Sequence, residues 1–129
     1  MQIRHVLIKV DNQDKALAFY TSVLGFKKKV DAPMGQFRWL TVFSIEGSDP
    51  VELVLEPNSL PPALASQKAL YDAGFPAIIL TTNNIKAEYE RLKGVGVKFR
   101  GEPKNIGPAI SVFFEDTCGN LINLVQSAA

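Results

Sequence analysis

Residues 12–27 read NQDKALAFYTSVLGFK, and residues 83–98 read NNIKAEYERLKGVGVK. Laid over one another at a shift of 71 positions, they coincide at Asn12 and Asn83, Lys15 and Lys86, Ala16 and Ala87, Gly25 and Gly96, and Lys27 and Lys98. Outward from there the same shift places Phe43 on Phe114, Leu53 on Leu124 and Val54 on Val125. A repeat of this length fixes architecture ahead of any motif, because each copy has to be one supersecondary unit.

The pattern classes repeat along with the identities. Ile3 to Val10 is a β-rich run, and Asp11 or Asn12 can cap the helix that follows. Ala16, Phe19, Tyr20 and Val23 recur at helical spacing, and Gly25 stands where a helix commonly ends on a left-handed residue. Phe26 to Asp31 reads as a strand, followed by a loop with Pro33 and Gly35. Phe37 to Ile45 and Val51 to Glu56 then make a hairpin around Gly47-Ser48-Asp49-Pro50. In the second copy, Ala77 to Thr82 is a strand and Asn83 or Asn84 caps a helix carrying Ile85, Tyr89 and Leu92. Gly94 and Gly96 close it, Val97 to Arg100 begins the next strand, and Ile110 to Glu115 with Leu121 to Val125 forms the last hairpin. Each copy is βαβββ. The chain is thus an α+β protein of one domain over 1–129, with a first module at about 1–57 and a second at about 75–129. The connecting segment, about 58–74, opens at Pro61-Pro62 and can hold a short helix from Ala63 to Tyr71.

A module of this kind covers one sheet face with its helix and leaves the other open, so two modules give a curved mixed sheet around a concave cleft. Such concavities take small molecules, and half-covered sheets favour a symmetric homodimer. Charge excludes other partners. With 14 basic and 13 acidic side chains and a net charge of +1, the chain lacks the basic stripe that nucleic acid requires. No apolar stretch reaches the roughly 20 residues that span a bilayer, and Met1-Gln2-Ile3-Arg4-His5 runs into a strand without a signal peptide's apolar region. The single cysteine, Cys118, forms no internal disulfide, which fits a reducing compartment. The expected location is the cytoplasm.

Two segments resemble a known family. His5-Val6-Leu7-Ile8-Lys9-Val10, with Ala16 to Tyr20 and Val23-Leu24-Gly25-Phe26, resembles the opening of the vicinal oxygen chelate superfamily of glyoxalases, bleomycin-resistance proteins and dioxygenases. Residues 116–124, DTCGNLINL, resemble its closing hairpin. The resemblance implies the two-module fold over nearly the whole chain. It also implies, for the metalloenzymes of the family, two ligands per module: one near the start of the first strand and a glutamate in the last. The first module matches with His5 and Glu52. Strand alternation puts His5 on a face with Leu7 and Lys9, and Glu52 on a face with Glu56, both opposite the more apolar face that packs on helices.

The second module departs from the pattern, since the shift of 71 takes His5 to Pro76 and Glu52 to Asn123. A catalytic site for zinc, nickel, manganese or iron typically needs at least three protein ligands, and Asn123 offers only a neutral amide. Two functions therefore stand side by side. One is a small-molecule-binding protein of the bleomycin-resistance type without a complete metal site. The other is a lyase or isomerase resembling glyoxalase I, with His5 and Glu52 as metal ligands and Glu52 as base. Ligand contacts are expected from Arg38 or Trp39, adjacent on one strand so that only one faces the cleft, and from Glu56, Phe114 and Asn123. Of Phe113 and Phe114, one belongs to the core and one to a cleft wall. Cys118, in a hairpin turn with no base nearby in sequence, reads as a bystander.

Overall fold

The computed structural model describes residues 1–47 and 51–127, so the expected turn at Gly47-Ser48-Asp49-Pro50 lies, from Ser48 on, outside the described residues. The first module runs β1 (His5–Val10), α1 (Gln13–Ala18), a π-helical turn (Phe19–Val23), β2 (Lys27–Met34), β3 (Phe37–Phe43) and β4 (Glu52–Pro57). A connecting helix α2 (Pro61–Asp72) leads to the second: β5 (Ile78–Thr81), α3 (Ile85–Gly94), β6 (Lys104–Ile106), β7 (Ala109–Glu115) and β8 (Leu121–Ser127). The two modules form two four-stranded mixed sheets, ordered β1-β4-β3-β2 and β5-β8-β7-β6. In each, the outer pair β1–β4 or β5–β8 is parallel and the remaining pairs are antiparallel.

The local signals act as their chemistry dictates. Asn12 and Asn84 are the N-caps: their side-chain oxygens accept from Lys15 N–H at 2.9 Å and Ala87 N–H at 3.0 Å. Gly25 takes φ 90° directly after the first helix, a value that costs glycine nothing. α2 has no side-chain cap and starts on prolines, whose missing N–H would be an orphan there anyway. Pro33 does not end β2 as expected. It pairs with Arg38 inside the strand, which tolerates it because β2 is an edge.

Period-2 alternation divides each sheet into a helix-side face and an open face. Ile8, Val10, Leu40, Val42, Leu53 and Leu55 are buried on the first sheet's helix side, and Val112, Phe114, Ile122 and Leu124 on the second's. These sets merge into one core, closed by Phe19 and Tyr20 from the π-helical turn and Ile85, Tyr89 and Leu92 from α3. A buried polar joint ties the modules together. Asp116 accepts from Tyr20 Oη at 2.7 Å, from the backbone N–H groups of Cys118 at 2.7 Å and Asn120 at 3.0 Å, and from Asn120 Nδ2 at 2.8 Å. The same Asn120 amide donates to Lys9 O at 2.8 Å. Burial pushes the Asp116 carboxyl up, against the four hydrogen bonds that pull it down.

Two expectations shift. Val97 to Arg100 is not a strand: it touches β7 at the single bridge Phe99–Phe114, and the module's outer strand forms later, at Lys104–Ile106. The reason is Phe99, which turns inward against Tyr89 and Phe114, with ring centroids 4.6 and 5.6 Å apart. The repeat also carries gaps. Phe43 pairs with Glu52, whereas it is Phe113, and not Phe114, that pairs with Asn123. Among the described residues, no helix is long and apolar enough to cross a membrane.

Candidate functional site: the open face of the first sheet

Parallel pairing of β1 with β4 sets His5 beside Glu52, Leu7 beside Val54 and Lys9 beside Glu56, all on the open face. Antiparallel pairing of β3 with β4 and β2 adds Phe37, Trp39, Thr41 and Phe43 to that face. The result is a trough with an aromatic wall and an acidic floor. Trp39 and His5 meet edge to face, with centroids 5.5 Å apart and planes at 65°. His5 Nε2 lies 3.7 Å from Glu52 Oε2. Thr41, fully buried, donates its hydroxyl proton to Glu52 Oε1 at 2.7 Å and accepts from Val30 N–H at 3.2 Å. One carboxylate oxygen is thereby held on the sheet and the other is turned toward the imidazole. The Glu52 side chain keeps 14% of its surface exposed and that of His5 37%, so the pair is reachable from solvent. Further along the trough, Lys9 and Glu56 form a second ion pair.

The sheet therefore brings His5, Trp39, Glu52 and Glu56 together. Arg38 goes to the other face, where its Nε and Nη2 grip both carboxylate oxygens of Asp31 at 3.0 and 3.1 Å and its Nη1 pairs with Asp14. That fork holds Asp31 below the usual carboxylate range. Phe114 is fully buried, between Phe19 and Phe99, and is core rather than cleft wall. A gapless shift hides this, because a slip of one residue moves a side chain to the opposite face of a strand. Phe113 takes the open position beside Asn123. Asn123 itself lies on the second sheet's open face, its Oδ1 accepting from Ser111 Oγ. Cys118 is buried, and burial pushes its thiol up to about 12.

The residue beside Asn123 is Ile79, the position that His5 holds beside Glu52; Pro76 precedes β5 altogether. The second module thus offers an isoleucine and an amide where the first offers imidazole and carboxylate. Among the described residues, no group of three or more histidine, cysteine, aspartate or glutamate side chains is placed to hold a metal ion. A divalent metal of the family's enzymes does not fit this donor set, which supplies two ligands where such a site needs three or more.

Residues 2–124 match the family model of the Glyoxalase/Bleomycin resistance protein/Dioxygenase superfamily, and the chain belongs to that superfamily. It is 48% identical to the uncharacterized protein YurT of Bacillus subtilis (strain 168), over 98% of this chain and 99% of that one. Among solved structures it is similar to UcmS2, at a TM-score of 0.82 and 34% identity, with 97% of each chain covered. It is also similar to TnmS3, described as an antibiotic binding protein from Streptomyces sp. CB03234. There the TM-score is 0.75 and the identity 28%, over 98% of this chain and 96% of that one.

Proposed function

We propose that the chain is a metal-independent binding protein whose open first-sheet face takes a planar, cationic aromatic small molecule. The observation that carries the reading is the chain of contacts from Trp39 to His5 and from His5 to Glu52, an indole and a carboxylate on the two sides of one imidazole, the carboxylate held in one orientation by Thr41. An indole face attracts a cation by about 0.5–2 kcal/mol. A half-buried carboxylate about 4 Å away adds a Coulomb term several times larger than it would be in bulk water. Glu56 is paired with Lys9, whereas among the described residues Glu52 has no lysine or arginine partner, so the carboxylate beside His5 is the one left to a cation. The similarity to an antibiotic-binding protein supports a small-molecule ligand. We further infer that the protein is a homodimer, because Met34 and Phe37 on the first open face and Ile79 and Ile106 on the second are 42–60% exposed. Its location is the cytoplasm, in keeping with its one unpaired cysteine.

Equilibrium dialysis with acridine orange, a planar cation, beside anthraquinone-2-sulfonate, a planar anion, tests the binding reading. Acridine orange is expected to bind saturably, and Glu52→Gln to weaken it about tenfold. Equal retention of both dyes, or indifference to Glu52→Gln, would overturn it.

A further inference from the structure

The trough does not end at Lys9. Leu7, two residues along β1 from His5 on the same face, is also a wall of a cavity of about 310 Å³ between the connecting helix α2 and the sheets. Ala63 and Leu70 of α2 form its roof, with Phe75 and Leu121 on the far side. Steps of two residues along a strand cover about 6.6 Å, so Leu7 is the next side chain on that face after His5 and belongs to both trough and cavity.

Apart from the exposed Ser66, the polar side chains around the cavity are bound within the protein. Gln67 donates from Nε2 to Lys9 O, Cys118 O and Asn120 Oδ1 at 3.0–3.1 Å, and its Oε1 accepts from Asn58 Nδ2 at 2.7 Å. Tyr71 Oη donates to Glu115 at 2.5 Å. Lys9 is held by Glu56 at the boundary between trough and cavity. What the cavity presents to a guest is therefore mainly hydrocarbon, from Leu7, Ala63, Leu70, Phe75 and Leu121, with the Ser66 hydroxyl at its side. Leu7 and Leu70 remain about half exposed, at 54% and 47%, and Phe75 at 61%. At about 30 Å³ per water-sized volume, the space suits an arm of about ten heavy atoms.

We propose that the cavity under α2 is a second subsite, and that the ligand is bipartite: a cationic aromatic head on Trp39 and an apolar arm passing Leu7 into the cavity. This rests on the trough reading given above. The Lys9–Glu56 pair stands where trough and cavity meet, the Glu52 carboxylate lies on the head side of it and the α2 side is mainly apolar, so the two ends select different chemistry. α2 is then the element that sets which arms are accepted, and the head is accepted without it.

Acridine orange and its N-nonyl derivative share one cationic head and differ in the arm. Their affinities follow from dye anisotropy at concentrations below self-association of the nonyl dye. The nonyl dye is expected to bind at least about tenfold more tightly, since only part of the arm needs to leave water. Ala63→Phe fills the cavity and Leu70→Arg places a charge in its wall; both positions are partly exposed, and circular dichroism checks that each variant folds. Either variant is expected to cut the nonyl advantage to about twofold or less while the parent dye's Kd stays within about twofold. Trp39→Ala is expected to weaken both dyes. Equal affinity of the two dyes for the unmutated protein, or a nonyl advantage that survives both α2 variants, would overturn the second subsite and leave the trough reading standing. No saturable binding of either dye would overturn the trough reading and the subsite with it.

Discussion

On β3, Thr41 receives Val30 N–H and donates to Glu52 Oε1, so its hydroxyl links the edge strand to the acid of the trough. Its place follows from alternation, since Thr41 stands two residues from Trp39 on one strand. Nothing in the sequence around a lone threonine singles it out. His5 and Glu52 were legible because one strand parity carries each of them away from the Ile8–Val10 and Leu53–Leu55 faces. Cys118 gives a residue-scale prediction. A buried thiol pushed up to about 12 is almost wholly protonated at pH 8, and the thiolate is the nucleophile. Ellman's reagent should label native protein at least about 100-fold more slowly than urea-unfolded protein; labelling of the native protein within seconds would contradict this. Tyr20→Phe gives another, because it removes a donor from the buried Asp116 carboxylate. The loss should be about 1–3 kcal/mol by urea denaturation. Burial raises the Asp116 carboxyl, so its contribution to stability is present below its unfolded value and fades as pH rises through the folded value. Removing Tyr20 Oη raises it further, so the loss should be larger at pH 7 than at pH 4. A larger loss at the acid end would contradict the assigned role.

At the scale of elements, α2 is anchored by Tyr71, which donates to Glu115, and by Gln67, which reaches the β7–β8 turn beside Gly119. Gly119 sits at φ 99° in the β7–β8 turn, and a Cβ there would lie 2.7 Å from Gln67 Nε2. Gly119→Ala therefore combines left-handed strain with a clash, and should cost about 1–3 kcal/mol and loosen α2, read as faster amide exchange over 61–72. Unchanged exchange in α2 would separate the helix from the turn. The repeat made the two βαβββ orders and Gly25 legible and narrowed each N-cap to two residues; Asn12 caps the first helix, but the second is capped by Asn84 and not by Asn83, the residue the shift puts on Asn12. It failed where insertion breaks strict spacing: at Phe113 and Phe114, where one residue changes the face, and at Pro76, where the residue that pairs beside Asn123 is Ile79. Phe99 misled for a different reason, since a β-rich run can serve as an inward-turning crossing as readily as a strand.

For the whole molecule, two open sheet faces and an incomplete donor set make separate statements. Light scattering should return twice the 14.2 kDa chain mass at micromolar concentration, and a monomer mass would contradict the dimer. Protein purified without chelator should hold well under one transition-metal ion per chain, and Ile79→His with Asn123→Glu should raise zinc affinity by about 100-fold or more if the two open faces meet in one cleft. Near-stoichiometric metal in the unmutated protein, lost in His5→Ala, would revive the lyase reading. The most direct test uses the chain's single tryptophan, Trp39, as its own reporter. Excited at 295 nm and titrated with acridine orange, it should be quenched saturably at one dye per chain, with the midpoint shifted about tenfold to higher dye in Glu52→Gln. Emission that falls only in proportion to added dye, or a midpoint that Glu52→Gln leaves in place, would contradict the account.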